Sequence, residues 1–182
     1  ALALILVSQS AIAQSQPGIS SISFMEGWRD SGGHHYGGIK IELEQGWKTY
    51  WRAPQGSGIP PVLNLDRALH VADVEILYPT PTVYEEFGYD VLGYTGEVTL
   101  PVKFKLDNSG KAAAVQGVLQ IGVCKDVCIP VDVPINAQLL PSSANGTQTI
   151  KAAIAEGPVA PSDIDSALSA CSIKSVNNGY QI

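Results

Sequence analysis

The sequence has few charged residues, and positive ones are the scarcest. Asp, Glu, Lys and Arg make up 15% of the 182 residues, and 11 basic against 17 acidic side chains give a formal net charge of −6. A nucleic-acid-binding protein needs clustered positive charge to neutralise phosphates, so this composition argues against a nucleic-acid partner. The 18 glycines and 12 prolines favour short strands joined by turns over long surface helices.

Long hydrophobic runs are also missing, and the one apolar run stands at the start of the chain. Residues 1–7 (ALALILV) are followed by Ala11 and Ala13, which suit the small positions before a cleavage site. A membrane span needs about 20 apolar residues, which is more than this run provides. We therefore interpret residues 1–13 as the remnant of a secretory signal peptide, in a sequence that begins partway into a precursor. This predicts a mature protein outside the cytoplasm, where disulfides persist.

Apolar and polar residues alternate along the chain with the period of half-buried strands. The β-type segments are residues 39–43, 74–78, 97–106, 112–123 and 131–139. Pro101 predicts an edge strand or a bulge within its segment. By contrast, residues 80–94 are aromatic and acidic and show little periodicity. Several short strands separated by turns predict an all-β, immunoglobulin-like β-sandwich over residues 18–140.

The character of the sequence changes after Leu140. Residues 141–146 (PSSANG) have the composition of a linker, and residues 147–156 suit a short helix. Ser162 is a suitable cap for a second helix. We expect the tail, residues 141–182, to be either a packed helical appendage or the entry to a second domain that continues beyond this sequence.

Two of the three cysteines, Cys124 and Cys128, stand close together in the segment GVCKDVCIP. Valine, isoleucine and nearby prolines favour a hairpin over a helix here, with residues 125–127 as its connection. The two cysteines would then face each other across the strands, within reach of a disulfide. Cys171 is expected to be a small apolar residue on a buried helix face, or to pair with a cysteine beyond residue 182, and we assign it no chemistry.

Three roles compete for the Cys124–Cys128 pair. A structural disulfide that closes so small a loop contributes only about 2 kcal/mol in the chain-entropy estimate. A soft-metal site for Cu(I) needs only the two thiolates, whereas zinc needs two more ligands and the histidines stand elsewhere in the sequence. We favour the third role, reversible redox exchange, because strained or exposed disulfides are the labile ones. No cofactor and no metal site are assigned.

The cysteines belong to a set of segments that occur in the order found in one family. These segments are GWKTYWR (46–52), YEEFGY (84–89), VTLPV (98–102) and the C-x3-C-x-P element that begins at Cys124. Together, over about residues 21–140, they resemble the N-terminal periplasmic domain of the DsbD family of thiol–disulfide interchange proteins, and more closely its ScsB-like members, which are linked to copper tolerance. Relative to DsbD, the spacing between the cysteines is shorter and the tail has no clear counterpart.

The resemblance implies a function for the pair. Such a domain is a protein-disulfide reductase component: it receives electrons from the thiols of a transmembrane donor and of thioredoxin-like domains. It passes them to oxidised partners in the periplasm, such as disulfide isomerases. By this resemblance Cys128 forms the mixed disulfide with the partner, and Cys124 resolves it. The rival functions are a periplasmic Cu(I)-binding protein that uses the same thiolates, and an adhesion-like module with a structural disulfide.

The resemblance also implies the surroundings of the pair. Phe87 matches a capping residue that moves aside for a partner, Glu85 and Glu86 match the acidic residues beside it, and Tyr50 matches an aromatic residue that lines the site. The two carboxylates would disfavour a nearby thiolate by like-charge repulsion. Lys125 is the only cation expected nearby, and its neighbour Asp126 offsets it, so the sequence predicts thiols of nearly ordinary pKa that react when a partner docks.

Overall fold

The computed structural model describes residues 16–55, 58–86, 88–158, 174–176 and 179–181, the last two stretches by their backbone alone. Its strands are, in chain order, β1 (Ile19–Arg29), β2 (His34–Leu43), β3 (Lys48–Tyr50), β4 (Val62–Leu69), β5 (Val71–Ile76), β6 (Thr82–Glu86), β7 (Tyr89–Thr95), β8 (Glu97–Leu106), β9 (Ala113–Cys124), β10 (Cys128–Leu139), β11 (Lys174–Val176) and β12 (Gly179–Gln181). One helix, α1 (Thr147–Ala155), follows β10.

Two antiparallel sheets make up the fold. Strands β1, β2, β8 and β5 form the first sheet in that order, and the second has the order β10-β9-β3-β7-β6. Strands β3 and β4 pair with the same edge of β9, β3 at its last residue, Cys124, and β4 along residues 114–120. The short β3 is therefore inserted between the end of the β9–β10 hairpin and the β6–β7 hairpin.

The hydrophobic core lies between the two sheets and follows directly from the period-two alternation of the strands. Alternate residues of β8 from Val98 to Leu106 lie in this core, and β9 contributes Val115, Leu119, Ile121 and Val123 in the same way. The intervening Thr99 and Pro101 of β8 are buried as well. The alternating core residues belong to one continuous cluster with residues of β2 and β10. Since fully burying such a side chain contributes about 1.5–3 kcal/mol, this cluster is the main source of stability. The all-β sandwich predicted from the sequence is confirmed.

The prediction that Pro101 marks an edge or a bulge is wrong. Strand β8 lies between β2 and β5 and runs in regular register with β2 through the pair Gly38 and Pro101. The last pair that β5 forms with β8 is Ile76 with Val102, and beyond it the backbone amide of Leu77 donates to the carbonyl of Pro101 at 2.8 Å. The amide and carbonyl of one strand residue point to the same side. The missing N–H of Pro101 therefore falls where β5 has already ended.

The stretch 80–94, in which the sequence shows little periodicity, contains the β6–β7 hairpin. Strand β6 is the outer strand of the second sheet, and its residues are exposed or half-buried on both faces. An edge strand without a buried face has no hydrophobic alternation to detect, which explains why the pattern missed it.

The predicted helix after the linker is present as α1, which packs on the first sheet. Ile150 is fully buried, and Gly38 on β2 leaves room for it, since a Cβ at Gly38 would lie 2.7 Å from its Cγ1. Among the described residues, no helix is long and apolar enough to cross a membrane. The signal-peptide remnant at residues 1–13, the second helix capped by Ser162, Phe87 and Cys171 lie outside the described residues, and the predictions for them stay predictions.

Candidate functional site

The cysteine pair lies at the tip of the β9–β10 hairpin. Cys124 is the last residue of β9, Cys128 is the first of β10, and the two face each other as register partners. Their Cα atoms are 4.1 Å apart and their sulfurs form a disulfide. The backbone amide of Lys125 donates to the carbonyl of Val127 at 3.2 Å, which closes the three-residue connection. The hairpin predicted from the valines, isoleucine and prolines around the cysteines is confirmed.

The two sulfurs of the pair differ in accessibility. Cys124 is 1% exposed and packs with Tyr50 and Val91 in a small buried cluster, whereas Cys128 is exposed. A thiolate must approach a disulfide sulfur directly in order to attack it. Of the two, Cys128 is therefore the residue that an incoming thiolate can approach, and the Cys124 sulfur is the one that an attack on Cys128 would release.

Tyr50 supports Cys128 from the neighbouring strand. Its ring is fully buried, and its hydroxyl lies 3.2 Å from the Cys128 Sγ and 3.4 Å from the Glu86 Oε2. Burial, and secondarily the Glu86 carboxylate, raise the pKa of Tyr50 to about 12. The hydroxyl therefore keeps its proton at neutral pH and can donate it to either neighbour. The sequence placed Tyr50 at the site only by resemblance, and the structure brings it into contact with the sulfur.

Glu86 joins the β6–β7 hairpin to this site. Its carboxylate forms an ion pair with Lys48 and accepts from Tyr50, so both partners come from β3. The Lys48 and Glu86 side chains are only 16% and 13% exposed. An ion pair that is this well shielded from water is screened less than a surface pair, so it anchors the hairpin more firmly.

Lys48 is the functional candidate that the sequence argument missed. It is the register partner of Cys124 across the β3–β9 pair, and it lies on the same face of β3 as Tyr50. The expectation that Lys125 is the only nearby cation is therefore wrong. Instead, the Lys125 side chain lies against the turn before β3, where a Cβ at Gly46 would be 3.3 Å from its Cε. The signal was available: once Tyr50 is assigned to the site, the two-residue period puts Lys48 beside it.

The loop between β3 and β4 holds Tyr50 in place from the other side. A Cβ at Gly58 would lie 2.6 Å from the Tyr50 Cδ1 and 2.6 Å from the Pro54 Cβ, so only glycine fits between them. On β3 itself, the buried Thr49 hydroxyl donates to the Gly122 carbonyl at 2.8 Å. Strand β3 is thus fixed to β9 two residues before Cys124, and the Tyr50 ring has little room to move.

The remaining predicted site residues occupy different positions. Glu85 is exposed and alternates with Glu86 along β6, so it points away from Tyr50 and towards solvent. Its cross-strand partner is Asp90, which is also exposed. Of the two carboxylates that the resemblance implied, the structure brings Glu86 alone into contact with the site. In the described stretches, the His, Cys, Asp and Glu side chains form no group of three or more that could hold a metal ion.

A comparison with known protein families places the chain that carries this hairpin in a family. The family model described as thiol:disulfide interchange protein DsbD, N-terminal, matches residues 23–139. The chain belongs to this family. The resemblance read from the four sequence segments is thereby confirmed, and the sandwich described above is the immunoglobulin-like fold of DsbD N-terminal domains.

Solved structures give two comparisons. The N-terminal periplasmic domain of ScsB from Proteus mirabilis is 30% identical, with a TM-score of 0.60 over 72% of this chain and 51% of that one. The N-terminal domain of DsbD from Neisseria meningitidis, in its reduced form, is 19% identical, with a TM-score of 0.40 over 71% of this chain and 87% of that one. The chain thus spans about half the length of the ScsB structure. No curated protein matches the sequence.

Proposed function

We propose that this chain is a periplasmic protein-disulfide reductase component, which passes electrons to oxidised partner proteins through a reversible Cys124–Cys128 disulfide. The observation that carries the proposal is the unequal burial of the pair, with Cys128 exposed and Cys124 1% exposed. A purely structural bridge gains nothing from presenting one sulfur, whereas exchange through a mixed disulfide requires one accessible sulfur and one that resolves it. Membership of the DsbD N-terminal family also supports a function in thiol–disulfide exchange.

The exchange proceeds in two displacements. In the reduced domain, the Cys128 thiolate attacks one sulfur of the partner's disulfide; a bond forms between the proteins, and the partner's second sulfur leaves as a thiolate and takes up a proton. The Cys124 thiolate then attacks Cys128, re-forms the internal disulfide and releases the partner's first sulfur. Two electrons reach the partner in total. A dithiol of a donor protein restores the reduced pair by the same steps in reverse, entering at Cys128.

The surroundings of Cys128 suit a protein partner. Val127, between the cysteines, is 65% exposed. An exposed apolar side chain next to a reactive sulfur adds to a surface that a partner can cover. The partners proposed are thioredoxin-like periplasmic proteins or disulfide isomerases, with a transmembrane domain as the electron donor. The same proposal includes Phe87 as a cap that moves aside for a partner. It also gives the Glu86–Tyr50 contact a role in supporting the exposed cysteine.

The test compares two matched single-cysteine variants of the pair. Cys124→Ser keeps the exposed thiol and removes the resolving one, so it should accumulate mixed disulfides with an oxidised thioredoxin-like protein. Cys128→Ser keeps only the buried thiol and should accumulate at least about tenfold less mixed disulfide, because a buried thiol cannot easily reach the disulfide of a partner. The adducts are counted by mass spectrometry on non-reduced samples. Equal trapping by both variants would refute the assignment of Cys128, and trapping by neither would refute the exchange function.

The alternative function, Cu(I) binding, uses the same two thiolates. It is tested on the reduced protein that keeps both cysteines, alongside the trapping experiment. Stoichiometric Cu(I) binding by the reduced pair, in a protein that forms no mixed disulfide, would favour copper binding over exchange. Two soft thiolates suit Cu(I), so binding alone does not decide between the two functions.

A further inference from the structure

One charged side chain at the site has no part in the exchange steps. Lys48 lies opposite Cys124 in register and forms an ion pair with Glu86 on the β6–β7 hairpin. Glu86 in turn contacts the Tyr50 hydroxyl, which contacts the Cys128 sulfur. A contiguous chain of polar contacts therefore runs from the lysine ammonium to the exposed sulfur through one carboxylate and one hydroxyl.

We propose that Lys48 is a positioning residue for the exchange, because it neutralises Glu86 and thereby leaves the Tyr50 hydroxyl free to donate to the Cys128 thiolate. This inference rests on the proposed function, since it concerns the reactivity of reduced Cys128. Tyr50 has one hydroxyl proton and two acceptors, Glu86 and the sulfur. The acceptor with the greater uncompensated negative charge holds the proton. With Lys48 paired to Glu86, that acceptor is the thiolate.

The loss of Lys48 acts on Cys128 in two ways that share one sign. An uncompensated Glu86 carboxylate holds the Tyr50 proton more tightly, and its charge, two hydrogen bonds from the sulfur, opposes a second negative charge there. Both effects raise the pKa of the Cys128 thiol and lower the fraction of thiolate at neutral pH. Lys48 does not need to touch the sulfur for this, so its influence should depend on Glu86.

Other charged groups near the pair are arranged differently. Lys125 and Asp126 are neighbours in the exposed connection, where their charges offset each other, and the Lys125 side chain lies along Gly46. Glu85 and Asp90 face each other on the outer side of the β6–β7 hairpin and are exposed to solvent, which screens them. Among the described residues, the Lys48–Glu86 pair is the charged contact that is shielded from water and linked to the sulfur.

The test measures the pKa of reduced Cys128 from its rate of alkylation by iodoacetamide, from about pH 6 to about pH 11, with the modified peptide followed by mass spectrometry. Lys48→Met should move the midpoint upward by about one pH unit and slow alkylation near neutral pH about tenfold. Lys48→Arg keeps the charge and should keep the midpoint. In a Glu86→Gln background, Lys48→Met should shift the midpoint by less than about a third as much.

Two outcomes would overturn the inference: an unchanged midpoint in Lys48→Met, or a shift of the same size with and without the Glu86 charge. If Lys48→Met does not fold, as judged by its circular dichroism, Glu86→Gln alone decides. That variant removes the carboxylate that competes with the Cys128 sulfur for the Tyr50 proton, so it should lower the midpoint; an unchanged or raised midpoint refutes the inference. Alkylation needs no partner protein, so these results stand whether or not the domain exchanges disulfides with one.

Discussion

Removing one oxygen atom, in Tyr50→Phe, tests how the buried hydroxyl serves the exposed sulfur. The substitution leaves the ring in its pocket beneath Gly58 and deletes the contacts to the Cys128 Sγ at 3.2 Å and to the Glu86 Oε2 at 3.4 Å. Because the pKa of Tyr50 is raised to about 12, the wild-type hydroxyl is protonated and acts as a donor across the physiological range. The variant therefore loses a donor and gains no charge.

The size of the effect follows from the partner that would be lost. A hydrogen bond to a charged group contributes about 1.5–3 kcal/mol, and Tyr50 divides its single proton between a carboxylate and a sulfur. We take the lower end for the thiolate, which corresponds to about one pKa unit. The Cys128 thiol of Tyr50→Phe should thus titrate about one unit higher. The free energy of unfolding of the oxidised protein should fall by about 1 kcal/mol, since Lys48 still satisfies Glu86.

The assay pairs the alkylation profile of the reduced protein with urea unfolding of the oxidised one. Tyr84→Phe is the matched control, because it removes a hydroxyl that contacts the Thr95 Oγ1 at 3.2 Å in an exposed position, while the ring stays beside the Lys48 ammonium. The control should leave the Cys128 profile unchanged. If Tyr50→Phe lowers stability but leaves the alkylation midpoint unchanged, the hydroxyl serves only to stabilise the fold through its contact with Glu86. The reasoning about the thiolate would then be wrong.

Two further predictions concern packing and pH. Gly58→Ala should destabilise the protein by about 1–3 kcal/mol in urea unfolding, because its Cβ would overlap the Tyr50 ring; Gly110→Ala, with its nearest neighbour at 3.7 Å, should cost far less, and equal costs would contradict the packing argument. His35 is fully buried, its ring is held by the Glu26 carbonyl, and burial lowers its pKa. The unfolded chain therefore binds a proton more readily than the folded one. The contribution of neutral His35 to the free energy of unfolding is complete above about pH 6.5. It declines as the pH falls below that value, by at most about 1.4 kcal/mol per pH unit. Urea midpoints measured above and below that pH should show this decline, and His35→Gln should flatten it; an unchanged slope in the variant would assign the decline to other groups.

The local features of the fold could be predicted from the sequence. Strand alternation in β8, β9 and β10 is a property of neighbouring residues, and so is the hairpin connection between Cys124 and Cys128. The strand predictions are correct because the two-residue period leaves an apolar face wherever a strand covers the core, and the hairpin prediction is correct because β-type residues and prolines flank the cysteines. The prediction for Pro101 is wrong, since the tolerance of a proline there depends on where the separate strand β5 ends.

The contacts that give the site its chemistry could not be predicted in the same way. The Lys48–Glu86 ion pair joins residues that are 38 positions apart, and Lys48 meets Cys124 only because β3 pairs with the last residue of β9. Pairings of this kind are set by the packing of whole sheets rather than by local pattern. Tyr50 and Glu86 entered the argument through the family resemblance, which supplies non-local information that one sequence lacks. The family resemblance also implied that Glu85 lies at the site, but strand alternation turns that carboxylate away from the sulfur.

The reduction potential of the Cys124–Cys128 pair tests the central claim most directly. The protein is equilibrated in thiol–disulfide buffers of graded potential, and the fraction of the oxidised pair is counted by mass spectrometry of the peptides that contain it. A reversible exchange pair should come to equilibrium with a midpoint above about −300 mV, within reach of dithiol donors. A midpoint well below about −300 mV would make the bridge a structural disulfide and contradict the account.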